Sequence, residues 1–194
     1  MQSIRVKLYL LVAGLFDQPE DACADFHFSL IAKLRQSIPP QWPCRATLEA
    51  LEREIVEDRH SPAELNAEYE RLFAPCGRVS PSSVSWLPAA AIDEAQRLMA
   101  RHGLADEKAP DLIGELEFMA YLIADDNATR QLQRHFLQRH LGRWIPYFSQ
   151  AVRFAAYLPR YRLAAELLEQ VVIGDIAWLN SDSDEHSSPH LRVA

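Results

Sequence analysis

Helical periodicity runs along almost the whole chain and constrains its fold more than any other feature. Apolar residues recur at a spacing of three and four, and short proline-containing breaks separate the periodic segments. The pattern predicts helices over residues 4–16, 21–37, 46–58, 61–73, 89–102, 110–124, 128–141, 144–157 and 161–179. Only 6 of the 194 residues are glycine, and the abundant Ala, Leu, Glu, Arg and Gln favour helix over strand. We therefore predict an all-α fold, a single-domain bundle of about nine or ten helices.

The predicted helices belong to one domain that is followed by a short polar tail. A chain of 194 residues can bury its own core without a metal or a disulfide. We assign residues 1–180 to an all-helical domain with a candidate subdivision near 103–110. Residues 181–194 are rich in Ser, Asp and Glu, which predicts a disordered C-terminal tail.

The start of the chain has a basic and then an apolar part, as a secretory signal does. The apolar stretch after Arg5 and Lys7 is shorter than the ~20 residues that span a bilayer, and no small-residue cleavage site follows it. The three cysteines lack metal-binding spacing, which is typical of free thiols in a reducing compartment. We therefore expect a buried first helix and a cytoplasmic protein without stable membrane insertion.

Charge is distributed unevenly along the chain. The net charge of −7 argues against a nucleic-acid partner, which requires a basic surface. Residues 106–126 contain seven acids and one lysine, whereas residues 129–165 contain seven arginines and no acid. Two interpretations stay open: the two regions pair across the bundle, or part of the acidic surface is free for an arginine-bearing ligand.

Residues 74–88 form the longest break in the helical pattern. Pro75, Gly77, Pro81 and Pro88 lie in this stretch, which has no apolar period. A loop of this length inside a compact domain is more often functional than idle.

Catalytic signatures are missing from the sequence. It has no glycine-rich phosphate loop, no nucleophile elbow and no Cys/His metal quartet. Glu57 and His60 have the Glu-x-x-His spacing of di-iron bundles, but those bundles need two such pairs. We expect a protein that is not an enzyme and binds no metal or cofactor. The catalytic alternative is a metal- or haem-dependent helical enzyme that uses Glu57, His60 and His140.

Four segments in order resemble one family of helical chaperones. They are Arg5-x-x-Leu8-Tyr9-x-Leu11, Tyr69-x-x-Leu72-Phe73 with Pro81-x-Ser83-Val84, Pro110-Asp111 with Gly114-x-Leu116-Glu117-Phe118-Met119, and Phe136-x-x-x-His140-Leu141-x-x-Trp144-x-Pro146-x-Phe148. Together they are similar to the TorD/DmsD (NarJ-related) family, which matures molybdenum-containing oxidoreductases exported by the twin-arginine pathway. The family's usual histidine after the aspartate is Leu112 here.

The resemblance implies a function in binding. Its expected partners are the twin-arginine signal peptide and the apo-form of the catalytic subunit of a molybdoenzyme. The chaperone would assist cofactor insertion and delay export, as a monomer or a helix-swapped dimer. The alternative is a general helical adaptor, which binds a folded partner through residues 74–88 and ignores isolated signal peptides.

A set of carboxylate, aromatic and apolar residues is expected to form the peptide site. Carboxylates at the rim pair with guanidinium groups, and aromatic walls shelter the apolar part. Asp111 and Glu115, one turn apart, are expected to share a helix face. The expected peptide-binding residues are Tyr69, Leu72, Phe73, Pro81, Ser83, Trp86, Asp111, Glu115, Phe118, His140, Trp144 and Tyr147. The competing interpretation makes the apolar members core residues, Asp111 a helix cap and His140 a structural histidine.

Overall fold

Nine α-helical segments make up most of the described chain. The computed structural model describes residues 1–19, 23–39, 41–57, 60–104 and 111–185. The helices are α1 (Gln2–Leu15), α2 (Cys23–Ser37), α3 (Cys44–Glu57), α4 (Pro62–Phe73), α5 (Ala89–Arg101), α6 (Leu112–Ala124), α7 (Arg130–Phe136), α8 (Gly142–Ala155) and α9 (Pro159–Glu185). Within these residues there is no β-strand, only one bridge between Ser82 and Asp111. The predicted all-α class is confirmed.

The sequence placed a break between the seventh and eighth helices that the structure does not have. A π-helical turn, Leu137–Leu141, joins α7 to α8 in one continuous rod. Gly142 serves close packing here, because a Cβ atom at this position would lie 2.6 Å from Cδ1 of Ile176 in α9 and 2.8 Å from the carbonyl oxygen of Leu137. Gly142 therefore marks a close approach of α8 and α9.

The last helix extends further than expected. Residues 181–185 are helical, although their polar composition predicted a tail. Residues 186–194 and 105–110, which include the rest of the predicted tail and most of the candidate subdivision, lie outside the described residues.

Two helices, α1 and α6, lie at the centre of the bundle. In α1 the side chains of Leu8, Tyr9, Leu11 and Val12 are almost fully buried. The helix packs mainly against α6, which buries apolar residues on most of its circumference. Helices that are apolar on most sides are expected in a core. α1 and α6 are therefore the central helices, and α2, α7 and α9 pack against them.

A buried ion pair joins the first helix to the last. Arg5 donates from Nε to Oδ1 of Asp175 at 2.5 Å and from Nη2 to Oδ2 at 2.9 Å. Gln133 accepts a further bond from the same Nη2 at 3.0 Å, and the hydroxyl of Tyr9 donates to Asp175. Both charged side chains are 5% exposed, so neither charge is solvated by water.

An aromatic cluster connects the ends of four helices. Phe73 at the end of α4 contacts Phe16, Phe148 and Tyr161, with ring centroids between 5.8 and 6.2 Å apart. Trp144 packs edge-on against Phe148 at 5.5 Å. Such pairs each add about 0.5–1.5 kcal/mol beyond area burial, so this cluster fixes α4 against the α8 rod.

None of the helices in the described ranges combines the length and the apolar character that crossing a membrane demands.

We expect Asp175→Ala to lower the free energy of unfolding by about 3–5 kcal/mol, because it leaves the Arg5 charge buried without a partner. Urea denaturation measures the change. The matched control is Glu169→Ala, which removes the partner of the partly exposed Arg153 and should cost less than about 1 kcal/mol. Equal decreases in the free energy of unfolding in the two variants would show that the buried ion pair stabilises the fold no more than the partly exposed pair does.

Candidate functional site

Residues 74–88 form a loop that is fastened to the start of α6. The amide of Leu112 donates to the carbonyl of Pro81 at 2.8 Å, and the indole N–H of Trp86 donates to the carbonyl of Ser80 at 2.9 Å. Gly77 is required for the turn, since a Cβ atom there would lie 2.5 Å from the carbonyl oxygen of Leu72. These contacts therefore fix the loop in one conformation beside α6.

Asp111 is the N-cap of α6 and stays exposed. Its Oδ1 accepts a hydrogen bond from the amide of Gly114 at 2.8 Å, which satisfies one of the free amides of the first turn. The competing interpretation of Asp111 as a cap is therefore correct. Capping leaves its charge at the surface, where a cationic ligand can still reach it.

Glu115 lies inside the protein, in a different environment from Asp111. The indole N–H of Trp144 donates to Oε2 of Glu115 at 3.0 Å, and Nε2 of His140 lies 2.9 Å from Oε1. The carboxylate is fully buried. The carbonyl of Asp111 accepts from the amide of Glu115 at 3.0 Å, so the two residues are one helical turn apart, but Asp111 is exposed and Glu115 is buried. The two carboxylates therefore do not form one exposed face.

His140 stacks on an aromatic pair next to this carboxylate. Its ring centroid lies 5.3 Å from that of Phe136, which is 5.0 Å from Phe118. Its Nε2 faces Oε1 of Glu115 at the distance of an ion pair, and its Nδ1 has no hydrogen-bond partner among the described residues. The imidazole is therefore paired with the carboxylate through one nitrogen.

The expected peptide-binding residues fall into three groups by exposure. Asp111 and Tyr147 are exposed. Tyr69, Pro81 and Trp86 are half-buried. The buried group comprises Leu72, Phe73, Ser83, Glu115, Phe118, His140 and Trp144. A ligand can reach only the first two groups directly, and peptide binding by the whole set remains a prediction.

Three exposed carboxylates lie close enough to the half-buried Tyr69 to act on its hydroxyl. The pKa of Tyr69 is raised by burial first and then by the carboxylates of Asp17, Glu70 and Asp111. We call Asp17, Glu70 and Asp111 the acidic patch. Asp17 and Glu70 were not predicted, because they lie 94 and 41 residues before Asp111 and only the fold brings all three to Tyr69.

A third carboxylate that was not predicted, Glu68, anchors α4. Glu68 accepts hydrogen bonds from Arg71 and from the backbone amides of Tyr157 and Leu158. The guanidinium of Arg71 lies 3.9 Å from the ring centroid of Tyr157. Burial alone would raise the pKa of Glu68, but the hydrogen bonds from Arg71 and the two amides outweigh it, so the pKa lies below its usual value. The Glu-x-x-Arg spacing indicates the ion pair of Glu68 and Arg71, but no local spacing indicates the hydrogen bonds from the distant backbone amides of Tyr157 and Leu158.

The described residues contain no group of three or more His, Cys, Asp or Glu side chains placed to hold a metal ion. Glu57 ends α3 and His60 precedes α4, so the two do not share one helix.

The chain matches the model of a known protein family. The model of the family described as nitrate reductase delta subunit matches residues 41–150, more than half of the 194 residues. The matched region includes the loop 74–88, α6 and the rod of α7 and α8 up to residue 150. No curated protein matches the chain.

We expect Glu68→Gln to lower stability at neutral pH and to change its pH dependence. A lowered pKa contributes stability that is present above the ordinary glutamate value of 4.5 and is lost as the pH falls through the lower folded value. The difference between wild type and variant should therefore shrink as the pH falls below about 4.5. Urea denaturation from pH 7 to pH 3 measures this, with the exposed Glu117→Gln as control. A difference that stays constant with pH would refute the role given to the carboxylate.

We expect Glu115→Leu to cost about 1–3 kcal/mol more than Glu115→Gln, because only leucine leaves the indole N–H of Trp144 without an acceptor. Urea denaturation gives the difference, and near-ultraviolet circular dichroism reports the packing of the indole. If leucine is tolerated as well as glutamine, the buried carboxylate does not hold Trp144.

Proposed function

Since the chain belongs to the nitrate reductase delta subunit family of redox-enzyme maturation chaperones, we propose that it binds the twin-arginine signal peptide of a molybdopterin-containing oxidoreductase. Chaperones of this family bind the catalytic subunit of molybdoenzymes. In the proposed function the chain acts in the cytoplasm on the apo-form of that subunit. It covers the signal peptide, assists cofactor insertion and delays export until maturation is complete.

The acidic patch is the observation that carries this proposal. Two adjacent arginines offer planar guanidinium groups that pair with carboxylates and stack on aromatic rings. Asp17, Glu70 and Asp111 provide three carboxylates around the half-buried ring of Tyr69. Family membership supports a peptide ligand, and the chemistry of the patch supports arginine as its charged part.

An apolar shelf continues from the patch along the loop. Val84 is 51% exposed, and the neighbouring side chains of Trp86 and Leu87 are half-buried. The Ser82–Asp111 bridge fixes the loop against the start of α6, and the shelf begins at Val84, two residues after Ser82. A peptide with arginines followed by apolar residues matches this order of acidic and apolar surface. The mechanism is binding without bond-making.

We expect Asp111→Asn to weaken binding of a twin-arginine peptide by roughly tenfold, which corresponds to about 1.4 kcal/mol. Asparagine is as good an N-cap as aspartate, so this substitution removes the charge and keeps the cap. Calorimetric titration with signal peptides from candidate molybdoenzymes measures the affinity. Asp126→Asn, an exposed position after the other end of α6, is the matched control and should leave it unchanged.

The peptide itself supplies the second control. Replacing its two arginines by alanines should weaken binding to wild type, and should do so less in Asp111→Asn, because the two changes remove the same interaction. If no signal peptide binds to the folded protein, the proposed function fails and a general adaptor takes its place.

A further inference from the structure

Helix α5 buries much less apolar surface than its neighbours. It has 13 residues, as α6 has, but its fully buried residues are Ala91, Ile92 and Ala95. α6 buries eight residues, among them Phe118 and four large aliphatic side chains. Burial of an alanine methyl contributes about 0.8 kcal/mol, compared with about 1.5–3 kcal/mol for a large apolar side chain. α5 is therefore held by little apolar contact.

The polar contact that fastens α5 is also weak. Glu94 on α5 and His135 on α7 approach to 2.8 Å, but their side chains are 51% and 45% exposed. Solvent screens such a pair, and exposed ion pairs contribute about 0–1 kcal/mol. Neither apolar nor polar contacts hold α5 as firmly as the core helices.

Beneath α5 lies a narrow trough on the α7–α8 rod. Ala91, Ala95 and Leu98 of α5 line a residual cavity of about 10 Å³ together with Phe136 and His140. The charged residues at its rim are Glu94, His135 and Arg139. α5 therefore covers the aromatic floor of the trough with small and medium aliphatic side chains and does not occupy all of its space.

Both ends of α5 allow it to move as a unit. Pro88 precedes the helix with extended backbone angles, φ −68° and ψ 151°. Gly103 follows it with φ of 75°, a conformation that glycine adopts without strain. Hinges are positions of this kind, at which the chain direction changes outside regular structure.

The dimensions of α5 match those of an apolar signal segment. Its 13 residues span about 20 Å, and the apolar region of a signal peptide has about 7–15 residues. The buried stripe of α5 consists of Ala, Ile, Leu and Met, which is also the chemistry of such a segment. The exposed shelf at Val84, Trp86 and Leu87 is too short for all of it, and α5 begins immediately beyond the shelf, after Pro88.

We propose that α5 occupies the binding site of the client peptide's apolar helix while no client is bound. The peptide then displaces α5 from the trough over Phe136 and His140. This inference rests on the proposed function and adds that the apolar segment of the peptide binds in the trough, where it competes with α5. The arginines bind at the acidic patch, and the apolar helix that follows them takes the place of α5. When the peptide leaves, α5 covers the trough again.

Amide hydrogen exchange on the wild-type protein tests the displacement directly. With a saturating twin-arginine signal peptide as the probe, exchange in residues 89–101 should become at least tenfold faster, although binding usually slows exchange. Residues 112–141 should become slower or stay unchanged. Slower exchange in residues 89–101 on binding would overturn the proposal.

Two variants should change the peptide affinity in opposite directions. Ile92→Asp weakens the docking of α5 and should tighten peptide binding by roughly tenfold, because the competent state becomes more populated. Ala90→Asp places the same charge on the exposed side of α5 and should have little effect. Circular dichroism checks that both variants are folded.

Cross-linking provides the opposite change without unfolding the protein. Glu94→Cys and His135→Cys, combined with Cys23→Ser and Cys76→Ser, introduce two thiols that a short bifunctional thiol reagent can bridge. The bridged protein should bind the peptide at least tenfold more weakly than the same variant before bridging. Equal affinities overturn the role of α5 and leave the proposed function intact, whereas absence of peptide binding in every variant overturns both.

Discussion

The pairing of Arg5 with Asp175 is the constraint on which the rest of the structure depends. Two charges removed from water are tolerated only in the geometry that satisfies both, so α9 can pack on α1 in one register. Gln133 extends the network, because it accepts from Arg5 and donates to the carbonyl of Leu122 in α6. Burial first and then the charge of Asp175 raise the pKa of Tyr9, so its hydroxyl stays protonated and donates to that carboxylate. One ion pair thus orients α1, α6, α7 and α9.

The positions of Glu115 and of the acidic patch follow from this packing of the helices. With α9 fixed, the close approach at Gly142 sets the α8 rod and brings Trp144 to Glu115. The Glu115 carboxylate is then committed to the interior, and of the two acids expected to bind the peptide Asp111 is the one that stays at the surface, in the acidic patch. The protein therefore uses acids from two environments: a buried one that positions an indole, and exposed ones whose charge a cation can reach.

The sequence predicted what depends on local spacing and missed what depends on distant partners. The apolar periods are contained within single helices, so the helices and their class followed from them. Asp175 lies 170 residues from Arg5, and the amide of Tyr157 lies 89 residues from Glu68, so no local pattern identifies either partner. The same limit explains Glu115, whose partner Trp144 lies 29 residues away, and the continuous α7–α8 rod, in which Gly142 packs closely against α9.

The weak attachment of α5 is a compromise between protection and affinity. In the proposed displacement, an uncovered trough would expose the aromatic ring of Phe136 whenever the client is absent, and exposed apolar surface promotes aggregation. If α5 covered the trough too tightly, only a small fraction of molecules would have an open trough, and the apparent affinity for the peptide would fall in proportion to that fraction. Because α5 is tethered beside the trough, its effective concentration there is high and it can recapture the trough as the peptide begins to dissociate. A helix that buries mainly alanine satisfies both requirements, and it allows the client to be released without an energy source.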